Sequence, residues 1–497
     1  MTWFSLISLV CLFAGILGQW DPNMPEDRNT IVHLFEWKFS DVADECERFL
    51  QHKGYGGVQL SPVNENAIIT DPWRPWWERY QPMSYILQTR SGNEAQFANM
   101  VARCNAVGVR VYIDIILNHM TGRFGIATGT AGSWADTYAR DYPAVPYTYL
   151  DFNSECDIYD WNDIWQIRQC MLAGLNDLNQ RNEYVRDRLV DFLNTLIHHG
   201  VAGFRVDAAK HMWPEDLRVI FNRVNDLNVN HGFAPNTRPF VYQEVISFSD
   251  DEAVTWRDYS SLGRVTEFRH SSDIGRVFRG LDQLVWLDSW GTGWGFMDSD
   301  YAFVFVDNHD NQRGHGAGGP NILTYKQSRE YKMATAFMLA HPYGSTRIMS
   351  SFAFDDSEAG PPADSNSNII SPGINADDTC YNGWVCEHRW RQIYNMVGFR
   401  NAVKGTTIQN WWTNGDQQIA FCRGNRGFVA FTNGGSISQT MQTCLPAGTY
   451  CDVISGNLIN GACTGKTVTV DSSGYGYVVL NQNEEDGVLA IHVNKQL

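Results

Sequence analysis

Three stretches of the chain run an apolar strand directly into an acidic residue: GFRVDAAKH (203–211), FVYQEVI (240–246) and AFVFVDNHD (302–310). Val206 gives way to Asp207, Gln243 to Glu244, and Val306 to Asp307, with Asp310 three residues further on. Each carboxylate thus stands where a buried parallel strand emerges. In a (β/α)₈ barrel those are the catalytic ends, where the acids meet at one site. A pair of carboxylates there, one ionised and one protonated, can supply the nucleophile and the general acid of one reaction. The bland alternative is that strand-end acids cap helices or pair with arginine.

The elements that must position these acids follow the same grammar. Ile31 to Trp37 reads as a strand, Asp41 to Leu50 as a helix, and Gly57 to Leu60 as the next strand. Val109 to Leu117 is a further strand, yet the next helix and strand (182–199, then 201–206) begin much later. The intervening Gly-, Tyr-, Asp- and Trp-rich residues are too many for a barrel loop. After Val403 the pattern changes to short strands punctuated by Gly and Asn. The expectation is an α/β fold: a (β/α)₈ TIM barrel from residues 19–117 and 182–403, a small inserted domain B at 118–181 after the third strand, and a C-terminal all-β, Greek-key-like domain at 404–497. Residues 1–18 form an apolar run ending in small residues, which reads as a secretory signal, although no Lys or Arg precedes it. No later stretch is apolar enough to serve as an anchor.

Composition narrows the function. A net charge of −17 argues against nucleic acid or an anionic membrane as partner, since both require clustered Lys and Arg. Aromatic content of 13%, with 18 Trp, suits flat apolar ligand faces as well as a large core. Of 11 Cys, one falls in the signal and an even set remains, as in an exported, oxidised protein. None of them has the spacing of a zinc or redox site, and no Asn-x-Ser/Thr sequon occurs.

The three acidic segments, together with DIILNHM (114–120), resemble the four signature regions of animal α-amylases, in order and at appropriate separations. The resemblance covers the whole mature chain and extends to SPVNEN (61–66), RPWWERYQP (74–82), GHGAGG (314–319) and GTYCDVISG (448–456). The chain is most similar to arthropod digestive amylases. In that chemistry one carboxylate attacks the anomeric carbon and a second, protonated one donates to the leaving oxygen, with the two about 5 to 5.5 Å apart. The resemblance makes Asp207 the nucleophile, Glu244 the general acid and then base, and Asp310 the carboxylate that holds ring hydroxyls and stabilises the transition state.

Taken alone, His119, His211 and His309 are ordinary satisfied polar residues. Beside the acids, the resemblance has His119 and His309 line the subsite of the cleaved ring, with Lys210 and His211 reaching toward the leaving side. Trp76, Trp77 and Tyr80, followed by Gln81, sit in a Pro-bounded loop where two adjacent Trp cannot both face a core, so a stacking platform for glucose is expected. Gly314 to Gly319 reads as a flexible flap in which only His315 can hydrogen-bond a sugar.

Two ions follow from the resemblance. Calcium takes oxygen ligands, and Asn118 and Asp177 with main-chain oxygens of Arg168 and His211 match the family's position between barrel and insertion. Chloride matches Arg205, Asn308 and Arg347; a lone buried Arg paired with an acid is the usual alternative. The resemblance also implies the disulfides Cys46–Cys104, Cys156–Cys170, Cys380–Cys386 and Cys451–Cys463, with Cys422–Cys444 as an added pair. Gln88 and Thr121 stand where vertebrate members carry a cysteine pair, and Trp161 where the family more often has Tyr. The implied function is a secreted, monomeric endo-acting α-amylase that hydrolyses α-1,4 bonds of starch, glycogen and maltooligosaccharides with retention. An α-glucosidase or transglycosylating relative, and a non-catalytic glucan-binding paralogue, are the rivals.

Overall fold

Strands buried on both faces demand near-continuous apolar or β-branched runs, and TIVHL, GVQL, GFRV and FVYQ meet that demand, with every residue buried. In the computed structural model, which describes residues 19–497, such runs form a closed parallel barrel. The strands are β1 (Thr30–Leu34), β2 (Gly57–Leu60), β3 (Arg110–Ile115), β4 (Gly203–Val206), β5 (Phe240–Gln243), β6 (Arg264–Thr266), β7 (Ala302–Val304) and β8 (Ser345–Ser350). They pair in sequential order, and β8 closes on β1 with Thr346 opposite Thr30. The secretory signal expected at 1–18 lies outside the described residues.

Three strands are shorter than expected, and the first of them, β1, ends at Leu34 rather than Trp37. Beyond Val304, the carbonyls of Phe305 and Val306 accept from the His270 and Ser271 side chains rather than from a neighbouring strand. Past Ile115, the Leu117 carbonyl is taken by the Gln180 amide. The helix expected at 41–50 is part of a longer helical run beginning at Phe39, with a π-turn at Cys46–Leu50.

Between β3 and the helix Glu183–His198, whose N-terminus is capped by the Asn182 side chain, the chain leaves the barrel. It forms two small antiparallel ladders, His119–Gly122 with Leu175–Asp177 and Ile126–Thr128 with Trp134–Asp136, and the short helix Ile164–Gln169. Residue 119 therefore lies opposite Asp177, which brings both ends of the excursion to the mouth of the barrel.

The C-terminal part is a sandwich of two four-stranded antiparallel sheets. Its first sheet contains Gln418–Arg423 and Gly427–Thr432, and both strands are buried throughout, because alternate side chains serve two cores. Ala420, Cys422, Phe428 and Ala430 face the second sheet, while Phe421, Val429 and Phe431 join the barrel core. Among the described residues, five disulfides link Cys46 to Cys104, Cys156 to Cys170, Cys380 to Cys386, Cys422 to Cys444 and Cys451 to Cys463.

A buried ion pair also joins the two parts. Lys332, on the barrel helix Ser328–Ala340, lies 2.7 Å from Asp486, which additionally accepts from Gln392 at 2.8 Å. Removing one partner of a buried pair strands the other charge, at a cost of about 3 to 5 kcal/mol. Lys332→Ala is therefore expected to lower the unfolding midpoint in urea and to loosen the C-terminal sandwich first. An unchanged midpoint would show that the junction holds without this pair.

Candidate active site

Asp207 and Glu244 follow β4 and β5 directly, and the guanidinium of Arg205, two residues before Asp207, holds them together. Its Nη1 donates to Asp207 at 2.5 Å and to Asp114 at 2.7 Å, and its Nη2 lies 2.7 Å from Glu244. Glu244 Oε2 also accepts from the backbone N–H of Ala208 at 2.8 Å. Asp114 lies inside β3 and accepts from the Tyr80 hydroxyl at 2.9 Å. Burial raises the Glu244 carboxyl above its ordinary range; Arg205 opposes this rise and Asp207 reinforces it. Asp207 is raised by the same burial against the charge and hydrogen bond of Arg205. Asp114 is pushed up to about 7, and Asp310 well above the usual range, by burial first. One cation thus serves several carboxylates that cannot all ionise freely, the setting in which one acid stays protonated while a neighbour does not.

These groups open into a cavity of about 560 Å³. Asp207, Glu244 and Asp310 line it, with Trp76, Trp77, Tyr80, Gln81, His119, Lys210 and His211. Trp76 and Tyr80 are buried members of a short 3₁₀ helix, so they form the wall, and Trp77 keeps the more open face. Tyr80 stacks on His309 at 5.2 Å, with Phe35 against the same imidazole at 5.1 Å. His309 Nε2 is 3.2 Å from Asp310 Oδ2, yet neither ring nitrogen makes an aligned hydrogen bond, so this is proximity rather than pairing. Burial holds His119 and His211 down to about 4, which leaves both imidazoles neutral at ordinary pH. Lys210 is tied to the Ile246 carbonyl and to Glu252. His315 is turned to Glu358, and only its neighbour Gly316 lines the cavity.

Of the residues assigned to calcium, Asn118 and Asp177 meet where the insertion leaves and rejoins the barrel, the Asn118 carbonyl accepting from the Leu178 N–H at 2.9 Å. Asn118 Oδ1 is buried without a hydrogen-bond partner, and Asp177 is buried with Asn153 as its hydrogen-bond donor. Desolvation drives the Asp177 carboxyl well above its usual range. The segment carrying Arg168 is held to His211, whose Nδ1 meets the Ile167 carbonyl at 2.9 Å. This is a set of oxygen atoms short of positive charge, which fits a hard cation.

The chloride set fits an anion in a complementary way. Arg347 is fully buried, donates to Gln59 at 2.8 Å, and has Nε and Nη2 without acceptors among the described residues. Asn308 sits in the turn after β7, its Oδ1 accepting from the N–H groups of Asp310 and Asn311. Arg205, by contrast, already meets three carboxylates.

Several lining residues carry no local signal in the sequence. Leu172, Ala173 and Leu175 of the insertion and Ile246 reach the cavity as ordinary apolar residues. Asp114 had a signal, a carboxylate in the middle of the buried strand RVYIDI, which must be paired. Glu358 had none.

Fold and site together define a class, a (β/α)₈-barrel glycoside hydrolase whose acids stand at the C-terminal ends of the strands. Residues 48–271 match the model of the alpha amylase catalytic domain, and residues 411–494 that of the alpha amylase C-terminal all-beta domain. The chain is 59% identical to the alpha-amylase-related protein of Drosophila willistoni, and 58% to that of Drosophila atripex, over 99% of each chain. Among solved structures it is similar to alpha-amylase I of Eisenia fetida. A mutant of that enzyme in complex with maltohexaose superposes with a TM-score of 0.91 at 45% identity, covering 96% of this chain and 99% of that one. The wild-type enzyme gives 0.90 at 45% identity. The chain belongs to the alpha-amylase family.

Arg205→Met would remove the cation that restrains these carboxylates, and their native pKa values would rise further. A carboxylate whose native pKa exceeds its unfolded value binds extra protons when folded, so stability falls as pH rises through that interval. With unfolded values of about 4 and Asp114 at about 7 already in the native protein, the variant's loss in melting temperature should be larger at about pH 8 than at about pH 5. An equal loss at both would sink this account.

Proposed function

We propose that this protein is a secreted endo-acting α-amylase that hydrolyses internal α-1,4-glucosidic bonds of starch, glycogen and maltooligosaccharides with retention of configuration. The observation that carries the reading is the Arg205 cluster: two carboxylates at neighbouring strand ends share one buried cation in an aromatic-lined, open cavity. Asp207, ionised against Arg205, attacks the anomeric carbon. Glu244, kept protonated by burial and by Asp207, donates to the leaving oxygen and then takes a proton from water. Asp310 holds ring hydroxyls and stabilises the oxocarbenium-like transition state. Neutral His211, with Nδ1 held by the Ile167 carbonyl, presents Nε2 to a sugar hydroxyl in a contact that tightens as the ring distorts. Both ring nitrogens of His119 are instead taken up by Tyr80 and Asn118, and that ring shapes the wall. The five disulfides accord with an extracellular setting.

Asn118, Asp177 and the carbonyls of Arg168 and His211 would hold calcium, which when bound ties the insertion to the barrel. Arg205, Asn308 and Arg347 would hold chloride, which when bound places a negative charge near Glu244 and keeps that acid protonated to higher pH. The unpartnered Asn118 Oδ1 and Arg347 Nη2 support both assignments.

Wild-type protein on soluble starch should release short maltooligosaccharides by internal cleavage. Glucose as sole product would favour an α-glucosidase, and no turnover a glucan-binding paralogue. Glu244→Gln should lose at least ~10²-fold in rate while still binding glucan, the usual contribution of a general acid; near wild-type turnover would remove Glu244 from that role.

Ion depletion gives two separate readouts. Chelation should lower the melting temperature, through linkage to the folded state. Chloride removal should lower the Glu244 pKa and move the alkaline limb of the pH-rate profile to lower pH. A melting temperature indifferent to chelation would count against the calcium set, and an unmoved alkaline limb against the chloride set.

A further inference from the structure

Glu358 lies in the turn that follows β8, and each of its two carboxylate oxygens meets a different part of the cleft. Oε2 accepts from the indole Nε1 of Trp77 at 2.6 Å, across 281 residues of sequence. Oε1 lies 2.8 Å from Nε2 of His315, the one side chain in the glycine-rich segment with hydrogen-bonding reach. The turn is itself held, since the Glu358 N–H donates to Asp356 and the Ser357 carbonyl accepts from Trp76 Nε1 at 3.0 Å. Among the described residues, neither Trp77 Nε1 nor His315 Nε2 has another partner.

The glycine-rich segment begins at the candidate site. His315 N–H donates to the Asp310 carbonyl at 3.1 Å, and Gly318 N–H to the His315 carbonyl at 2.9 Å. Gly314 and Gly316 adopt left-handed φ angles of 83° and 53°, which a side chain would oppose. Gly316 lines the cavity, and a Cβ there would stand 3.7 Å from that of Asp310. Besides these backbone bonds and the buried Ala317, the side-chain hydrogen bond that ties the segment to the rest of the cleft is the one at His315.

A partly exposed His–Glu contact is ordinarily worth little. Two features set this one apart: both oxygens of a single carboxylate are engaged, one by an indole and one by an imidazole, and the two donors stand at the same cleft. Hydrogen bonds to an ionised acceptor are stronger than neutral ones.

We propose that Glu358 is a positioning residue whose carboxylate latches the flap at 314–319 to the indole of Trp77, so that aromatic wall and flap meet a glucan chain as one unit. The proposal rests on the reading of this cleft as a glucan site. While latched, His315 has Nε2 engaged and only Nδ1 to offer a sugar hydroxyl, so Glu358 also sets how His315 can contact substrate.

Hydrogen–deuterium exchange tests the latch without any substrate. Amides within 314–319 should exchange ~3- to 10-fold faster in Glu358→Ala than in the native protein, as for loss of one or two hydrogen bonds. Glu358→Gln, which keeps one acceptor oxygen and nearly the same volume, should fall between them and serves if the alanine variant does not fold. Exchange in the flap unchanged in both variants would overturn the proposal. The second readout is kcat/KM on maltoheptaose in a double-mutant cycle of Trp77→Phe, which keeps a ring but loses the N–H, and His315→Ala. The two should couple by ~3- to 10-fold when Glu358 is present and act independently in Glu358→Ala. Coupling that survives without Glu358 would also overturn it. Faster flap exchange in a protein that cleaves no glucan would leave the latch standing and reject the substrate class instead.

Discussion

A guanidinium buried among carboxylates is the interaction on which the rest of this structure turns. Arg205 contacts Asp114, Asp207 and Glu244 at once. Leaving three such acids in the barrel mouth without it would cost several kcal/mol for each charge that remained ionised. The barrel geometry makes the cluster possible: β3, β4 and β5 are neighbours, and Asp114 lies opposite Arg205 in the ladder, so one cation spans three strands without distortion. Tyr80 then fastens the cluster to the aromatic wall through Asp114.

That wall gathers aromatic residues from separate segments of the chain. Phe35, Trp76, Tyr80 and His309 pack in one group beneath the cleft, with the Arg313 guanidinium over Phe35 and Phe352. A neutral imidazole amid such rings can offer a hydrogen bond to a ligand without adding a charge. His119, His211 and His309 are held neutral by burial, which suits an uncharged ligand better than an anionic one. The residues proposed to hold ions show the opposite stress, with buried oxygens at Asn118 and Asp177 short of cations and buried N–H groups at Arg347 short of acceptors.

The insertion and the C-terminal sandwich bear on the site differently. The insertion supplies lining residues and an antiparallel ladder that sets His119 beside the acids. The sandwich contributes none of the cavity's lining; it covers the barrel helices through Phe421, Val429 and Phe431, and Lys332 with Asp486 closes the seam. Its structural role is to finish a core that the barrel alone would leave open to water.

The sequence by itself determined the barrel class, because parallel strands buried on both faces must be near-continuous apolar runs, and it marked as candidates the acids that follow such runs. It also marked a change of pattern at the insertion and after Val403. Three things waited for the tertiary structure. Strand ends moved by up to three residues, and at β7 side chains such as His270 and Ser271 compete for carbonyls that hydropathy treats as part of the strand. The division of labour between Trp76 and Trp77 depended on which indole found a buried neighbour. Glu358 was invisible for the plainest reason: an acid in a surface turn has no local signature, and its meaning comes only from two partners, 43 and 281 residues away, that folding brings to its two oxygens.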